Sequence, residues 1–483
     1  MAQGTKIMNF IGGDLVPPAS GEYFGNEDPS IGQIYSEVPD SDEKDLDAAV
    51  AAAEKASPVW RNMPAESRAA IMHKLAELME KRQEDFARAE CIDNGKPLSL
   101  CRSVDIPRGI ANLRFFADAA KEMEGETFHA EKSFSYTLRQ PFGVVATISP
   151  WNLPLLLFTW KLAPALASGN CVIAKPSEVT PMTAYMLSTL AEEAGFPAGV
   201  LNVVHGRGAR IGAAITKHPG IPAISFTGGT ATGKEIYGTG SRLLKKVSLE
   251  LGGKNPTIIF DDAKWDAAVK GAVAAAFTNQ GQICLCGSRI LVQQTVYERF
   301  RDDFVKLAQA QHVGDPLEDA TTQGAVVSRT HMDKVLGYIN LAQEEGGKIL
   351  CGGRRLFIKG RCKQGYFIEP TVIDGLDAAC RTNQEEIFGP VVTLIPFHDE
   401  DEAIALANST PYGLAASIWT ESKERARTVA ARIDSGIVWV NCWNLRDLRT
   451  PFGGMKNSGV GREGGLRALE FFTEEKTVCQ PAA

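Results

Sequence analysis

From Val144 to Glu250 the chain alternates short apolar runs with amphipathic stretches, and this rhythm constrains the fold more than any other feature. Residues 144–150, 171–175, 200–205, 223–226 and 246–249 read as strands, and 155–167, 184–193, 209–217 and 232–237 as helices between them. Apolar strands separated by helices form parallel sheets covered on both faces, which makes this an α/β protein. Open parallel sheets bind ligands in the crevice beyond the carboxyl ends of their strands. The loops that follow each strand are therefore where chemistry is expected.

At 483 residues the chain exceeds one ordinary core, so two or three domains are expected. The first quarter reads as helical, with helices over 45–57, 65–90 and about 105–122, the last with Pro107 in its first turn. A second α/β block has strands at 289–293, 391–396, 415–419 and 436–441 and helices near 296–309, 331–345 and 402–408. Two such layers with a crevice between them bring a cofactor site to a substrate site. Residues 125–140 read as extended, and the tail, 468–483, is β-type around Thr477 and Val478. Both look peripheral and available to pair with another subunit.

A formal net charge of -7 and the lack of any Lys/Arg run argue against a nucleic-acid partner. The apolar stretch 152–167 is broken by Pro154, Lys161 and Pro164, so no membrane span is expected. The opening MAQGTKIMNF lacks a secretory layout, and a cytoplasmic protein is the expectation. The ten cysteines form no paired framework and read as free thiols. Cys284 and Cys286 would need partner ligands to hold a metal; no second close pair or HxxxH exists, so no metal site is expected.

Two glycine-rich loops follow strands. Gly206-Arg207-Gly208-Ala209-Arg210-Ile211-Gly212 carries its last glycine one residue late for a dinucleotide fingerprint, and reads either as such a loop or as a tight turn into a helix. Phe226-Thr227-Gly228-Gly229-Thr230-Ala231-Thr232-Gly233 opens a helix whose backbone amides can approach an anion closely. Lys175 and Glu178, three apart at a strand end, either hold the two hydroxyls of an adenosine ribose or form an exposed turn.

Three segments turn the reading toward catalysis. Ser149-Pro150-Trp151-Asn152-Leu153-Pro154 follows the first strand of the series and Leu249-Glu250-Leu251-Gly252-Gly253-Lys254 the last. Gly281-Gln282-Ile283-Cys284 lies between a helix and a strand of the second block. Singly, a Cys is usually a small core residue, an Asn a turn former and a Glu solvated. Together with Glu385-Glu386-Ile387-Phe388-Gly389-Pro390 and Pro451-Phe452-Gly453-Gly454, in this order, the set resembles the aldehyde dehydrogenase superfamily from about Asn9 to the last strand.

That resemblance implies NAD-dependent oxidation of an aldehyde to an acid. It implies an aldehyde dehydrogenase-like fold: a Rossmann-type parallel-sheet NAD-binding domain (1–122 and 142–252), an α/β catalytic domain (253–466) and a small β oligomerisation segment (123–141 and 467–483). Cys284 is the implied nucleophile; an ordinary thiol, with a pKa of about 8.5, is mostly protonated at neutral pH, so the site must promote the thiolate. Asn152 and the Cys284 backbone amide are the implied oxyanion donors, each typically worth about 3 kcal/mol. Glu250 is the implied base that draws a proton from the hydrolytic water. For the cofactor, Lys175 and Glu178 match the adenosine ribose contacts. Thr227, Gly228, Gly229 and Gly233 match the pyrophosphate neighbourhood, with Gly212 in the same region. Glu386 matches the nicotinamide ribose contact beside Phe388, with Trp151 and Leu251 alongside. Gly229 stands where many members have Ser. Glu178 would repel a 2′-phosphate, which favours NAD over NADP.

Two stretches look narrower, Ser103-Val104-Asp105-Ile106-Pro107-Arg108 and the run from Trp439 to Arg449. They resemble the branch that oxidises 2-aminomuconic and 2-hydroxymuconic semialdehydes, with residues 280–286 closer to the aminomuconic members. Such substrates carry a carboxylate far from the aldehyde, and Arg108 and Arg446 are expected to grip it. The plainer alternative is that both arginines make ordinary ion pairs, Arg446 with Asp447. Rival activities are a broad-range aldehyde dehydrogenase, a coenzyme-A-acylating enzyme, against which Glu250 argues, and a non-catalytic protein, against which the joint presence of Cys284, Glu250 and Asn152 argues. The resemblance also implies a homodimer or homotetramer built through residues 125–140 and the tail.

Overall fold

The computed structural model describes residues 4–482; residues 1–3 and 483, the ends of the expected outer segments, lie outside the described residues. Two large sheets carry the architecture. The first has eight strands in the order Gly459–Val460, Lys246–Glu250, Ala223–Thr227, Val144–Ile148, Cys171–Lys175, Leu201–Val203, Asn9–Ile11 and Asp14–Val16. Its five central strands are parallel. Every residue of Val144–Ile148, Cys171–Lys175 and Ala223–Thr227 is buried, as strands covered by helices on both faces must be. Strand order reverses at Val144–Ile148: the next two strands lie on one side and Ala223–Thr227 on the other. The switch-point crevice therefore opens between Ile148 and Thr227.

The second sheet has seven strands in the order Lys348–Cys351, Thr371–Asp374, Val391–Phe397, Arg289–Gln293, Pro256–Ile259, Ala415–Trp419 and Ile437–Val440, all parallel except the first. Separate apolar clusters fill its two faces, one around Phe300 and Phe304 and one around Phe260 and Phe397.

The structure departs from the sequence reading in two places. The first quarter is not wholly helical, because five short strands lie between Thr5 and Pro39. Two of them, three residues each and joined through Gly12 and Gly13 at positive φ, form a hairpin on the edge of the first sheet; so short a run shows no period. The helix expected over 65–90 breaks at Arg82 into Ala65–Lys81 and Gln83–Asn94. The tail and residues 125–140, expected to be available to another subunit, also pair with each other within the chain. Thr473–Pro481 runs antiparallel to Ser133–Pro141 over all nine residues, with Thr127–Ala130 on the far edge.

No described helix is long and apolar enough to cross a membrane. The ten cysteines are free. No group of His, Cys, Asp or Glu among the described residues is placed to hold a metal ion.

Candidate active site

A cleft of about 240 Å³ opens at the switch point. Its walls are Trp151 and Asn152 after the first parallel strand, Thr227, Gly228 and Gly229 after the fourth, and Leu251 after the fifth. The second sheet contributes Cys284, Glu386 and Phe388. Nine of the expected site residues thus converge on one space, contributed from segments more than two hundred positions apart.

The Cys284 loop is held by its backbone. Asn279, Gln280 and Gly281 all have left-handed φ values, 55°, 56° and 68°, and a Cβ at Gly281 would collide with the Gly389 carbonyl. Non-glycine residues in that region are costly unless surrounding contacts enforce them. Those contacts are present. Gln280 Nε2 donates to the Ala325 carbonyl at 2.9 Å, and Gln282 Oε1 accepts from the Val327 amide at 3.0 Å. Asn255 Nδ2 donates to the carbonyls of Cys284 and Cys286 at 2.7 and 2.9 Å. Asn152 Nδ2 reaches across the cleft to the Gln282 carbonyl at 2.9 Å, which leaves its second N–H for another acceptor. Burial, then the Glu250 and Glu386 carboxylates, push the Cys284 thiol well up, so the resting side chain is a thiol.

Glu250 ends its strand almost fully buried, and neither carboxyl oxygen has a hydrogen-bond partner. Burial and the neighbouring Glu463 raise it well above the ordinary carboxylate range, against the pull of Lys161, Arg462 and Arg446. Beside it lies a closed network: Lys161 Nζ donates to Glu463 Oε1 at 2.5 Å and to Ser225 Oγ at 3.0 Å, and Ser225 donates to the same Glu463 oxygen at 3.0 Å.

Lys175, Glu178 and Gly212 lie apart from this cleft and cluster together. Glu178 accepts from Lys175 Nζ at 3.2 Å and from the Gly208 amide at 3.1 Å, and a Cβ at Gly212 would touch the Lys175 stem. Burial raises the Glu178 carboxyl, but Lys175 and Gly208 outweigh it and hold the group below its ordinary value. The glycines of the second loop differ in purpose. A Cβ at Gly229 would meet nothing within 4 Å, whereas Gly233 is small because Leu251 packs against it. Glu386 Oε1 accepts from the Gly253 amide at 2.8 Å.

Several contributors escaped the sequence reading. His331 lines the cleft, its ring against Trp151 at 5.0 Å, and donates from Nε2 to the Phe388 carbonyl at 2.7 Å, bracing Phe388 at φ 62°. Burial lowers its pKa to about 4, so it is neutral. Lys334, one helical turn on, donates to the Glu386 carbonyl at 3.2 Å. The i, i+3 spacing of His331 and Lys334 at a helix start was visible, but nothing local tied them to the cleft.

Arg108 and Arg446 do come together. Each guanidinium sits 5.8 Å from the Trp160 ring, and Arg446 also lies 4.0 Å from the Phe452 ring. Asp447 pairs with Arg449, at 2.6 Å, and not with Arg446. Arg446 Nε is buried without a partner, and burial followed by the Arg108 charge pushes its pKa down to about 10. Trp443 ties this loop to the nucleophile loop by donating to the Leu285 carbonyl at 2.9 Å, and Trp439 donates to the Leu445 carbonyl at 2.9 Å.

Comparison with known proteins agrees with this geometry. The Aldehyde dehydrogenase family matches residues 15–478. A 2-aminomuconic semialdehyde dehydrogenase of Bos taurus is 47% identical over 477 residues, covering 98% of this chain and 97% of the relative. A 2-hydroxymuconic semialdehyde dehydrogenase of a Pseudomonas species is 44% identical over 481 residues, covering 98% and 99%. The NAD+ complex of an aldehyde dehydrogenase from Bacillus cereus superposes with a TM-score of 0.96 at 39% identity, covering 99% of this chain and 97% of that one. The chain therefore belongs to the aldehyde dehydrogenase family and is an NAD-dependent aldehyde dehydrogenase.

Proposed function

We propose that the enzyme oxidises a semialdehyde with a carboxylate at its far end, 2-aminomuconate 6-semialdehyde foremost and the 2-hydroxy analogue as the alternative. The observation that carries this is the Arg108–Arg446 pair. Two guanidinium groups lie against one tryptophan ring, and Arg446 makes no ion pair among the described residues. Like charges brought together with no salt bridge to an acid among the described residues favour an anionic ligand. The names of the relatives point the same way.

In this reading Cys284 attacks the aldehyde carbon. The thiol, protonated at rest, gives up its proton to solvent as the C–S bond forms. The free N–H of Asn152 and the Cys284 amide steady the oxyanion. NAD, when bound, supplies the hydride acceptor. Lys175 and Glu178 hold its adenosine ribose, the loop from Thr227 to Gly233 its pyrophosphate and Glu386 its nicotinamide ribose, with Trp151, Leu251 and Phe388 as walls. The open space beside Gly229 leaves the room such a group needs. Glu250, having released its proton, then draws one from water to hydrolyse the thioester. The exposed outer strands Thr127–Ala130 and Thr473–Pro481 support assembly into a homodimer or homotetramer, and a cytoplasmic setting fits the whole.

The test is NADH formation from both muconic semialdehydes and from an aldehyde of equal length without the carboxylate. The expected preference for the carboxylated pair is at least about tenfold in kcat/KM, the equivalent of about 1.4 kcal/mol. Equal rates would refute the substrate assignment. Added coenzyme A should leave the rate unchanged; acceleration would point to acyl transfer instead.

A further inference from the structure

One fully buried cation near the cleft has no part in the chemistry described so far. Lys96 follows Gly95, the left-handed cap of helix Gln83–Asn94, and its side chain has no exposure. Its ammonium donates to Asp105 Oδ2 at 2.6 Å and to the backbone carbonyl of Asn152 at 3.0 Å, with Glu90 Oε1 3.6 Å away. Each partner leads to a different part of the site. Asn152 carries the amide that faces the Cys284 loop. Asp105 closes the π-turn Cys101–Asp105 and heads helix Ile106–Ala119, whose first turn bears Arg108. The other oxygen of Glu90 accepts from the Leu155 amide at 3.0 Å, in the first turn of helix Pro154–Ala167, which bears Trp160 and Lys161.

We propose that Lys96 is a positioning residue that sets, through one ammonium, the separation between the Asn152 amide and the Arg108–Trp160 wall, and so fits a substrate of one length to Cys284. The reasoning is geometric. Charge-assisted hydrogen bonds are short and directional, and a buried network in low dielectric holds its members to one arrangement. The Asn152 peptide is clasped from a second side by Asn279 Nδ2 at 3.0 Å, so its carbonyl has two donors and little freedom. Displacement of about 1 Å in a positioning group is enough to cost on the order of a hundredfold in rate. The Arg108 arm of the proposal rests on the substrate reading above; the Asn152 arm does not.

Removing Lys96 alone would leave two buried acids unbalanced and report mainly on folding. The informative variant is therefore Lys96→Met with Glu90→Gln and Asp105→Asn, which removes the cation and neutralises both acids. Its melting temperature, NAD affinity, kcat and KM are measured with a carboxylated semialdehyde and with an uncharged aldehyde of the same length. The expected result is a folded protein with NAD affinity within about twofold of the parent, since the adenosine contacts are untouched. Its kcat falls about tenfold to a hundredfold on both aldehydes, and its KM rises only for the carboxylated one. A folded triple variant with kcat within about twofold of the parent would overturn the proposal. A parent without any carboxylate preference would remove only the arginine reading, and kcat on the uncharged aldehyde would still decide for or against Lys96. If the triple variant does not fold, Asp105→Asn keeps Lys96 paired with Glu90 and severs the Arg108 arm alone. A fivefold or greater rise in KM confined to the carboxylated aldehyde supports the coupling, and equal KM changes on the two aldehydes overturn it.

Discussion

Replacing Arg446 by Met should separate substrate recognition from stability, because the two pull in opposite directions at this residue. Arg446 is half-buried, with an unpartnered Nε, and lies against the Trp160 ring as Arg108 does. Two 5.8 Å arms to one ring put the charges at most about 12 Å apart, and at an effective dielectric of about 20 their repulsion is then on the order of 1 kcal/mol. Met keeps much of the stem packing against Phe452, removes that repulsion and removes an unmatched polar group. The free enzyme should therefore melt at the same temperature or a degree or two higher. The substrate loses a charge-assisted contact worth about 2–5 kcal/mol, or roughly thirtyfold to several thousandfold in kcat/KM for a carboxylated semialdehyde. An uncharged aldehyde of equal length should stay within about threefold. Steady-state NADH formation on both substrates, with thermal unfolding in parallel, gives all three numbers. The reasoning fails if the carboxylated substrate loses less than about threefold, or if both substrates fall together.

Other substitutions test other parts of the site. Glu250→Gln should keep the first burst of NADH and lower steady turnover by about 10²–10⁴, and a lost burst would place Glu250 before hydride transfer. Because burial and Glu463 raise the Glu250 pKa, and the base form is the one that activates water, parent turnover should rise with pH through neutrality; a profile already flat from pH 5 would contradict this. Trp443→Phe strips the donor from the Leu285 carbonyl and should cost about 1–3 kcal/mol of stability, read by denaturant unfolding, together with part of kcat. Glu178→Gln should weaken NAD and improve NADP, measured as the ratio of the two kcat/KM values, and an unchanged ratio would move 2′-discrimination elsewhere.

What the sequence made legible was local. The parallel strands announced themselves as apolar runs; the motifs around Asn152 and Glu250 lie at strand ends, and those around Cys284 and Glu386 lie between a helix and a strand of the second sheet. What stayed hidden depends on partners far along the chain. Lys161 is an ordinary helix residue until Glu463 arrives from 302 positions away, and Asn255 is one polar side chain after a strand until it clasps the Cys284 carbonyl. Arg446 posed the opposite difficulty. Sequence offered Asp447 as an adjacent partner, but Arg449 takes that acid, and only the packed loop leaves Arg446 for the cleft. Strands of three or four residues, such as Asn9–Ile11 and Pro256–Ile259, are too short for periodicity to register and are held by their neighbours in the sheet.

The edge strand Gly459–Val460 carries a consequence for biosynthesis. It pairs with Leu249 and Glu250, so the strand bearing the base has an open flank until residues near the end of the chain reach it. At translation speeds of about 5–20 residues per second, the roughly two hundred residues in between take on the order of 10–40 seconds to emerge. The strand that bears Glu250 is complete only once the segment around Gly459–Val460 has docked on it.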